Sequence, residues 1–159
     1  MKSKPCAYLL IHNIRSSENV GALFRTADAA SISKIFLTGI TPSPVDRFGR
    51  LNQRVIKSSL GAEKSVIFEK CRQVGRVVKN LKKEGFQVVA IEQSENSADY
   101  KLVKIKSKVL FIVGNEVKGL PKSLLNKADV VAEIPMGGRK ESLNVSVAAG
   151  IAIFRMLAI

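Results

Sequence analysis

Residues 109–120 read VLFIVGNEVKGL, a run of apolar residues followed by a polar turn. Val109 to Val113 have the length and composition of a strand that is buried on both faces. Gly114 ends the apolar run, and polar residues continue as far as Gly119. Strands buried on both faces are typical of parallel sheets that helices cover on each side. The stretch therefore predicts a buried parallel strand with polar groups at its carboxyl end.

Similar apolar runs alternate with helical patterns on both sides of this stretch. Further strands are predicted at residues 8–11, 34–38, 66–68, 88–91 and 130–134. Helices are predicted near residues 20–27, 50–60, 74–81, 121–126 and 143–157, with Ser17 or Asn19 as the cap of the first. The last helix is apolar on nearly every side, which favours a position in the core and at a subunit interface. The alternation predicts an α/β fold, a mostly parallel, Rossmann-like sheet flanked by helices.

The chain of 159 residues is long enough for one domain, and its net charge is +13. Eleven of the 26 Lys and Arg residues lie between Arg47 and Lys83, with only two acidic residues. Such an excess of positive charge favours a polyanionic partner, above all nucleic acid, over a merely soluble surface. If the segment forms one side of the fold, it is the predicted phosphate-contact surface. Its candidate RNA-binding residues are Arg47, Arg50, Arg54, Lys57, Arg72 and Arg76.

Several classes of protein are excluded by missing patterns. No apolar stretch approaches a membrane span, and the run at residues 7–11 is too short for a signal peptide. Cys6, Cys71 and a single histidine, His12, predict neither a zinc site nor a disulfide framework. Residues 114–119 have P-loop glycine spacing, but Leu120 and Pro121 replace the required Lys and Ser or Thr. We therefore expect a cytoplasmic protein without a metal site.

Three polar clusters follow predicted strands, where open α/β sheets bind ligands. They span residues 13–25, 113–120 and 134–146. With these clusters the chain resembles the SPOUT class, specifically the SpoU/TrmH-type RNA ribose 2′-O-methyltransferases. The matching residues are Asn13, Asn19, Gly21 and Arg25, then Gly114, Asn115, Glu116 and Gly119, then Pro135, Met136, Gly138, Ser142, Leu143, Asn144 and Ser146. One motif alone would be weak evidence, whereas three in order are strong.

The resemblance implies several properties that the patterns alone do not. It implies a deep trefoil knot near the C-terminus, S-adenosylmethionine as the cofactor, and a homodimer with composite active sites. It further implies a single methyltransferase domain over residues 1–159, and no N-terminal RNA-binding extension is expected. The RNA would then be held by the methyltransferase domain itself.

The resemblance also assigns site residues. The cofactor would be bound by Glu92, Gln93, Gly114, Asn115, Gly119, Ile134, Met136, Ser142, Leu143 and Ser146. The catalytic candidates are Arg25, Asn19, Glu116, Ser142 and Asn144. Arg25 lies outside the apolar stripe of its helix, and we expect it to bind the neighbouring phosphate and stabilise the developing alkoxide. Asn19, Ser142 and Asn144 could instead be helix caps, and Glu116 could be a solvated charge paired with a lysine.

Two alternatives to ribose methylation remain at this point. The first is a non-catalytic RNA-binding or assembly factor on the same fold, and the second is methylation of a base nitrogen. The presence of Arg25 and Asn144 favours the ribose reaction. Transfer RNA is favoured over ribosomal RNA as the substrate, by analogy within the family.

Overall fold

A seven-stranded parallel sheet forms the centre of the computed structural model, which describes residues 4–159. The strands lie in the order β3-β2-β1-β6-β4-β7-β5, and every neighbouring pair is parallel. Their bounds are β1 Cys6–His12, β2 Lys34–Thr38, β3 Ile67–Cys71, β4 Gln87–Ile91, β5 Ala98–Asp99, β6 Lys108–Val113 and β7 Val130–Glu133. The predicted parallel α/β fold is confirmed, and all carboxyl ends meet at one edge.

Two layers of helices cover the sheet. The helices are α1 Ser17–Ala29, α2 Gln53–Ser59, α3 Ala62–Ser65, α4 Val74–Lys83, α5 Lys122–Leu125 and α6 Val145–Leu157. Buried residues of α1, α2, α3 and α6 share one core with Leu9 and Ile11 of β1. Buried residues of α4 and α5 share a second core with Leu10 of the same strand. Successive residues of a strand face opposite sides, so the two cores lie on opposite faces of the sheet.

Helix α1 follows its predicted apolar stripe but not its predicted cap. Val20, Leu23, Phe24 and Ala27 are all buried. The N-cap is Ser16, whose hydroxyl accepts a hydrogen bond from the backbone amide of Asn19 at 3.1 Å. Ser17 and Asn19 themselves lie in the first turn. The Asn19 side chain is thereby available for other contacts.

The predicted helix over residues 50–60 is shorter in the structure. A loop continues to Asn52, which caps α2 by accepting from the amides of Arg54 and Val55. Leu60 takes a left-handed conformation after α2, and Gly61 is the N-cap residue of α3. Strand β5 was not predicted, because two residues carry no readable periodicity.

Helix α6 has one buried face and one partly exposed apolar face. Ala149, Ala152 and Ile153 are buried, whereas Val147 and Ile151 are 48% and 39% exposed. Within residues 4–159, no helix is long and apolar enough to cross a membrane. The same residues contain no group of three His, Cys, Asp or Glu side chains placed to hold a metal ion.

Candidate active site

A cavity of about 390 Å³ opens at the carboxyl ends of β4, β6 and β7. Its volume is within the range of small-molecule sites. Nine of the ten predicted cofactor residues line it: Glu92, Gln93, Gly114, Asn115, Gly119, Ile134, Met136, Ser142 and Leu143. Sequence reasoning did not single out Leu120, Glu133, Glu141 and Val145, which also line it. These residues neighbour the motifs but differ in no visible way from ordinary loop and helix residues.

Two glycines of the second cluster are required by close packing around this cavity. A Cβ atom at Gly114 would lie 2.7 Å from the Leu120 side chain. A Cβ atom at Gly119 would lie 2.6 Å from Glu92 Oε2, and Gly119 has a φ of +66°. Glycine is the residue that tolerates both the contact and the left-handed backbone.

Hydrogen bonds fix the cavity wall formed by the end of β4. Glu92 accepts from the backbone amides of Gln93 and Leu120, at 2.9 and 3.0 Å. The Gln93 side-chain amide donates to the carbonyl of Glu141 at 2.9 Å. The loop after β4 is thus tied to the turn after β6 and to the segment that precedes α6.

Asn115 holds the polar turn of the second cluster to the first cluster. Its side-chain oxygen accepts from the amides of Val117 and Lys118, at 3.0 and 2.9 Å. Its side-chain nitrogen donates to the carbonyl of Asn13 at 2.8 Å. The turn at the end of β6 is therefore positioned against the end of β1.

Glu116, Asn19 and Asn144 join the three clusters in one hydrogen-bonded network. The Asn19 side-chain nitrogen donates to Glu116 at 3.1 Å, and Asn144 donates to the Asn19 oxygen at 3.1 Å. Glu116 also accepts from the backbone amides of Arg15 and Ser16, at 3.2 and 3.1 Å. No ion pair joins Glu116 to a lysine within residues 4–159. The acid therefore holds the first motif, and the alternative of a pair with a lysine is not present. As a catalytic candidate Glu116 was expected to position Arg25 or a substrate hydroxyl, and it makes no contact with Arg25.

Glu116 is ionised at neutral pH in this arrangement. Partial burial raises the pKa of its carboxyl, but the hydrogen bonds from backbone amides and from Asn19 outweigh burial, and the pKa lies below its ordinary value. Hydrogen bonds to the charged form favour that form. Glu116 therefore acts as a fixed acceptor for Asn19.

The third cluster places its polar residues in different roles. Asn144 caps α6 by accepting from the Ser146 amide at 2.9 Å, while its nitrogen reaches Asn19. Capping and site organisation are thus both performed by one side chain. Ser146, a predicted cofactor residue, does not line the cavity, and its hydroxyl donates to Asn144 at 2.6 Å. Ser142 lines the cavity and does not cap the helix.

Arg25 is exposed and does not line the cavity. It lies six residues after Asn19, about 9 Å further along α1 and on a different side of that helix. Within residues 4–159, no hydrogen bond or ion pair engages its guanidinium group. One copy of the chain therefore does not bring the principal catalytic candidate to the cavity.

The basic segment is divided between the two faces of the sheet. Arg54 and Lys57 are on α2, whereas Arg76 is on α4 in the opposite layer. The condition that the segment forms one side of the fold is therefore not met. The segment passes round the edge strand β3 because α2 and α4 pack against opposite faces.

Comparison with known proteins identifies the family. The profile of the SpoU rRNA Methylase family matches residues 7–154.

The chain belongs to the SpoU rRNA Methylase family.

It is a member of the SpoU/TrmH type within the SPOUT class, as the three clusters predicted. An uncharacterized tRNA/rRNA methyltransferase of Mycoplasma pneumoniae is 35% identical over 151 residues, covering 92% of this chain and 58% of the relative.

Solved structures of this family share the fold. The AdoMet-bound rRNA methyltransferase of Sinorhizobium meliloti superposes with a TM-score of 0.86 and is 30% identical in sequence. The match covers 97% of this SpoU chain and 56% of the Sinorhizobium meliloti chain. An RNA 2′-O ribose methyltransferase has a TM-score of 0.83 and 28% identity, over 99% of this chain and 58% of its own. The chain thus spans somewhat over half the length of these relatives.

Proposed function

We propose that this protein is an S-adenosylmethionine-dependent RNA methyltransferase that methylates a ribose 2′-hydroxyl. The observation that carries the proposal is the cavity whose lining residue Glu116 is linked through Asn19 to Asn144. The three clusters of the family motif thus meet beside one small-molecule site. The similar 2′-O ribose methyltransferase and the AdoMet-bound relative support the same reaction.

The cavity fits S-adenosylmethionine in the chemistry of its lining. Leu120, Ile134, Met136 and Leu143 provide apolar surface for an adenine ring, and the backbone between them provides hydrogen-bonding groups. Four acidic side chains outnumber Lys118 in the lining and leave it a net negative charge that suits a cationic sulfonium ligand: Glu92, Glu116, Glu133 and Glu141. When bound, the cofactor supplies an electrophilic methyl group.

The residues of the chain would bind and activate the ribose. A hydroxyl becomes an adequate nucleophile once its proton leaves or its developing charge is stabilised. Arg25 would bind the adjacent phosphate and stabilise the alkoxide, because a guanidinium resists deprotonation and has bidentate geometry. Asn19, held by Glu116 and Asn144, would orient the substrate. Ser142 would contact the ribose or the cofactor from the cavity wall.

A homodimer would complete the site. Arg25 lies away from the cavity of its own chain, and α6 exposes Val147 and Ile151 one turn apart. We propose that two copies associate through this apolar face, and that Arg25 acts in a site shared between them. The knot implied by the family stays a prediction, as do a substrate preference for transfer RNA and the cytoplasmic location.

Calorimetric titration with S-adenosylmethionine, with S-adenosylhomocysteine as the product control, is the first test. Saturation near one cofactor per chain is expected. Incubation with total RNA and labelled cofactor, followed by digestion to nucleosides, should give a 2′-O-methylated nucleoside. A base-methylated product would overturn the ribose assignment. RNA binding without any cofactor binding would favour the assembly-factor alternative.

A further inference from the structure

We propose that Arg47, Phe48 and Arg50 form a stacking platform that binds an unpaired base of the RNA beside the active site. This inference rests on the proposed RNA substrate and names the class of RNA structure that the protein recognises. The carrying observation is an exposed aromatic ring with two guanidinium groups close to it. The Arg47 and Arg50 guanidinium carbons lie 4.7 and 5.1 Å from the centroid of the Phe48 ring.

Phe48 is 66% exposed, although burial of an aromatic ring is normally favourable. The composition alone, with 6% aromatic residues and no Trp, gave no sign of a stacking surface. Aromatic rings and guanidinium planes are the two side-chain surfaces on which unpaired RNA bases stack. The pairing of both at one exposed position therefore points to a base.

The loop that carries these residues is rigidly built. Asp46 accepts from the backbone amides of Phe48 and Arg50, at 2.8 and 2.9 Å, and from Arg50 Nε at 2.8 Å. Val45 and Leu51 form an antiparallel bridge at its base. A loop ordered before binding loses less conformational entropy when the ligand arrives.

The loop is attached to the first motif at both ends. At its start, the Ile40 backbone amide donates to the Asn13 side chain at 3.1 Å. Lys70 of β3 also holds this end of the loop, because it donates to the carbonyls of Gly39 and Thr41. At its end, the Asn52 side chain donates to Ser17 at 3.4 Å. The platform thus stands at the carboxyl end of β2, next to the β1–α1 segment that contributes Asn19.

Charge favours RNA over a second copy of this chain as the occupant. Arg50 is paired with Asp46, whereas no ion pair engages Arg47 within residues 4–159. A cleft of about 830 Å³ beside the loop is lined by three basic side chains, Arg47, Arg50 and Lys70, against one carboxylate, Asp46. Another copy of a chain with net charge +13 would bring like charge to this cleft, whereas an RNA phosphate brings the opposite charge.

The test measures binding of the full chain to a short fluorescein-labelled single-stranded RNA of mixed sequence, and to the same strand in a duplex. Phe48→Ala and Phe48→Leu should each weaken single-strand binding by at least about fivefold, the lower end of base stacking on an aromatic side chain. Neither should change duplex binding or the cofactor affinity. Phe48→Tyr should retain single-strand binding.

Arg47→Gln should lower the slope of log affinity against log salt by about 0.7, as expected for one phosphate contact with a single strand. The Phe48 variants should leave that slope unchanged. Matched controls lie at the other edge of the sheet, where Leu102 is 77% exposed and Lys101 lies 5.9 Å from the Tyr100 ring. Leu102→Ala and Lys101→Gln should bind the single strand like the wild type.

If Phe48→Ala binds the single-stranded RNA with wild-type affinity, the proposed stacking platform is wrong, even if methyl transfer to RNA is intact. Equal losses on single strand and duplex would overturn base stacking. A lower molecular mass of Phe48→Ala in sedimentation would show that a second copy occupies the platform instead. Absence of methyl transfer by the wild-type protein tests the proposed function separately, since the binding assays require no turnover.

Discussion

The two halves of the carboxyl edge of the sheet are built differently. Around β4, β6 and β7, the polar side chains Glu92 and Asn115 are held by partners within the same chain. Around β1, β2 and α1, Arg25 and Arg47 are exposed and have no ion-pair partner within residues 4–159. The chain thus organises its cofactor half by itself. The substrate half has charged groups that RNA or a second copy would engage.

The largest effect is expected in the substrate half, from Arg25→Ala. Turnover should fall at least about 100-fold, the scale of losing one stabiliser of developing charge. The affinity for S-adenosylmethionine should not change, because Arg25 does not line the cavity. Rates from single-turnover methylation and calorimetry measure the two quantities. Arg25→Lys, which keeps the charge without the bidentate geometry, should recover only part of the rate. Unchanged turnover in Arg25→Ala would refute its catalytic role.

In the cofactor half, Gly119→Ala should change the cofactor affinity, which Arg25→Ala leaves unchanged. Its Cβ atom would collide with Glu92, so cofactor affinity should fall at least about tenfold, a loss of roughly 1.4 kcal/mol. Gly85→Ala is the matched control, because Gly85 also has a positive φ but open space around it. Both variants should lose about 1 kcal/mol of unfolding free energy from backbone strain. Equal cofactor affinity in the two variants would show that the Glu92 contact is unimportant.

A smaller effect, on RNA binding, should distinguish an arginine in one helix layer from an arginine in the other. Arg54→Gln, on the α2 side, should weaken RNA binding severalfold and lower the salt slope by about 0.7. Arg76→Gln, on the α4 side, should leave both unchanged, although both arginines are exposed. Filter binding at several salt concentrations gives both values. An equal loss in Arg76→Gln would mean that the RNA wraps around the β3 edge.

The smallest effect concerns His12, at the end of β1 between the two halves. It is buried beside Thr38 and Asn13, and burial lowers its pKa below the ordinary 6.5. The unfolded chain therefore binds more protons than the folded chain near and below that pH, and the unfolding free energy should fall as the pH drops through about 6.5. Urea unfolding of the wild type and of His12→Gln measures this. Parallel pH profiles in the two proteins would contradict the assignment. Glu116, whose pKa is lowered, stabilises the fold at pH values above about 4.5, and this stabilisation is lost only as the pH falls below that value.

The sequence was most informative where apolar periodicity is unbroken. Residues 109–113 and the stripe on α1 were predicted correctly because burial alone determines both patterns. Residues 50–52 were predicted as helical but form a loop, because Asn52 binds the backbone amides of Arg54 and Val55, which a helix beginning at residue 50 would use. Such local side-chain bonds compete with the helix and carry no periodic signal.

The candidate site was predictable as a list of residues but not as an arrangement. The family resemblance identified nine cavity residues as cofactor-binding, although nothing in the spacing showed how they contact one another. Asn19 is separated from Glu116 by 97 positions and from Asn144 by 125. Contacts over such separations depend on the order of strands in the sheet. The position of Arg25 away from the cavity likewise follows from packing on α1, which the motif match did not reveal.

The Asn144 side chain connects the hydrogen-bonded network of the site to hydrogen exchange at the backbone amide of Ser146. It accepts the Ser146 amide and donates to Asn19, so the first turn of α6 and the network share one side chain. In deuterated solvent, that amide exchanges only when the turn opens. An event that separates Asn19 from Asn144 would leave the Asn144 side chain free to rotate away from the helix end. The Ser146 amide would then exchange faster. The deuterium content at Ser146 would then record how long the site stays assembled between one turnover and the next.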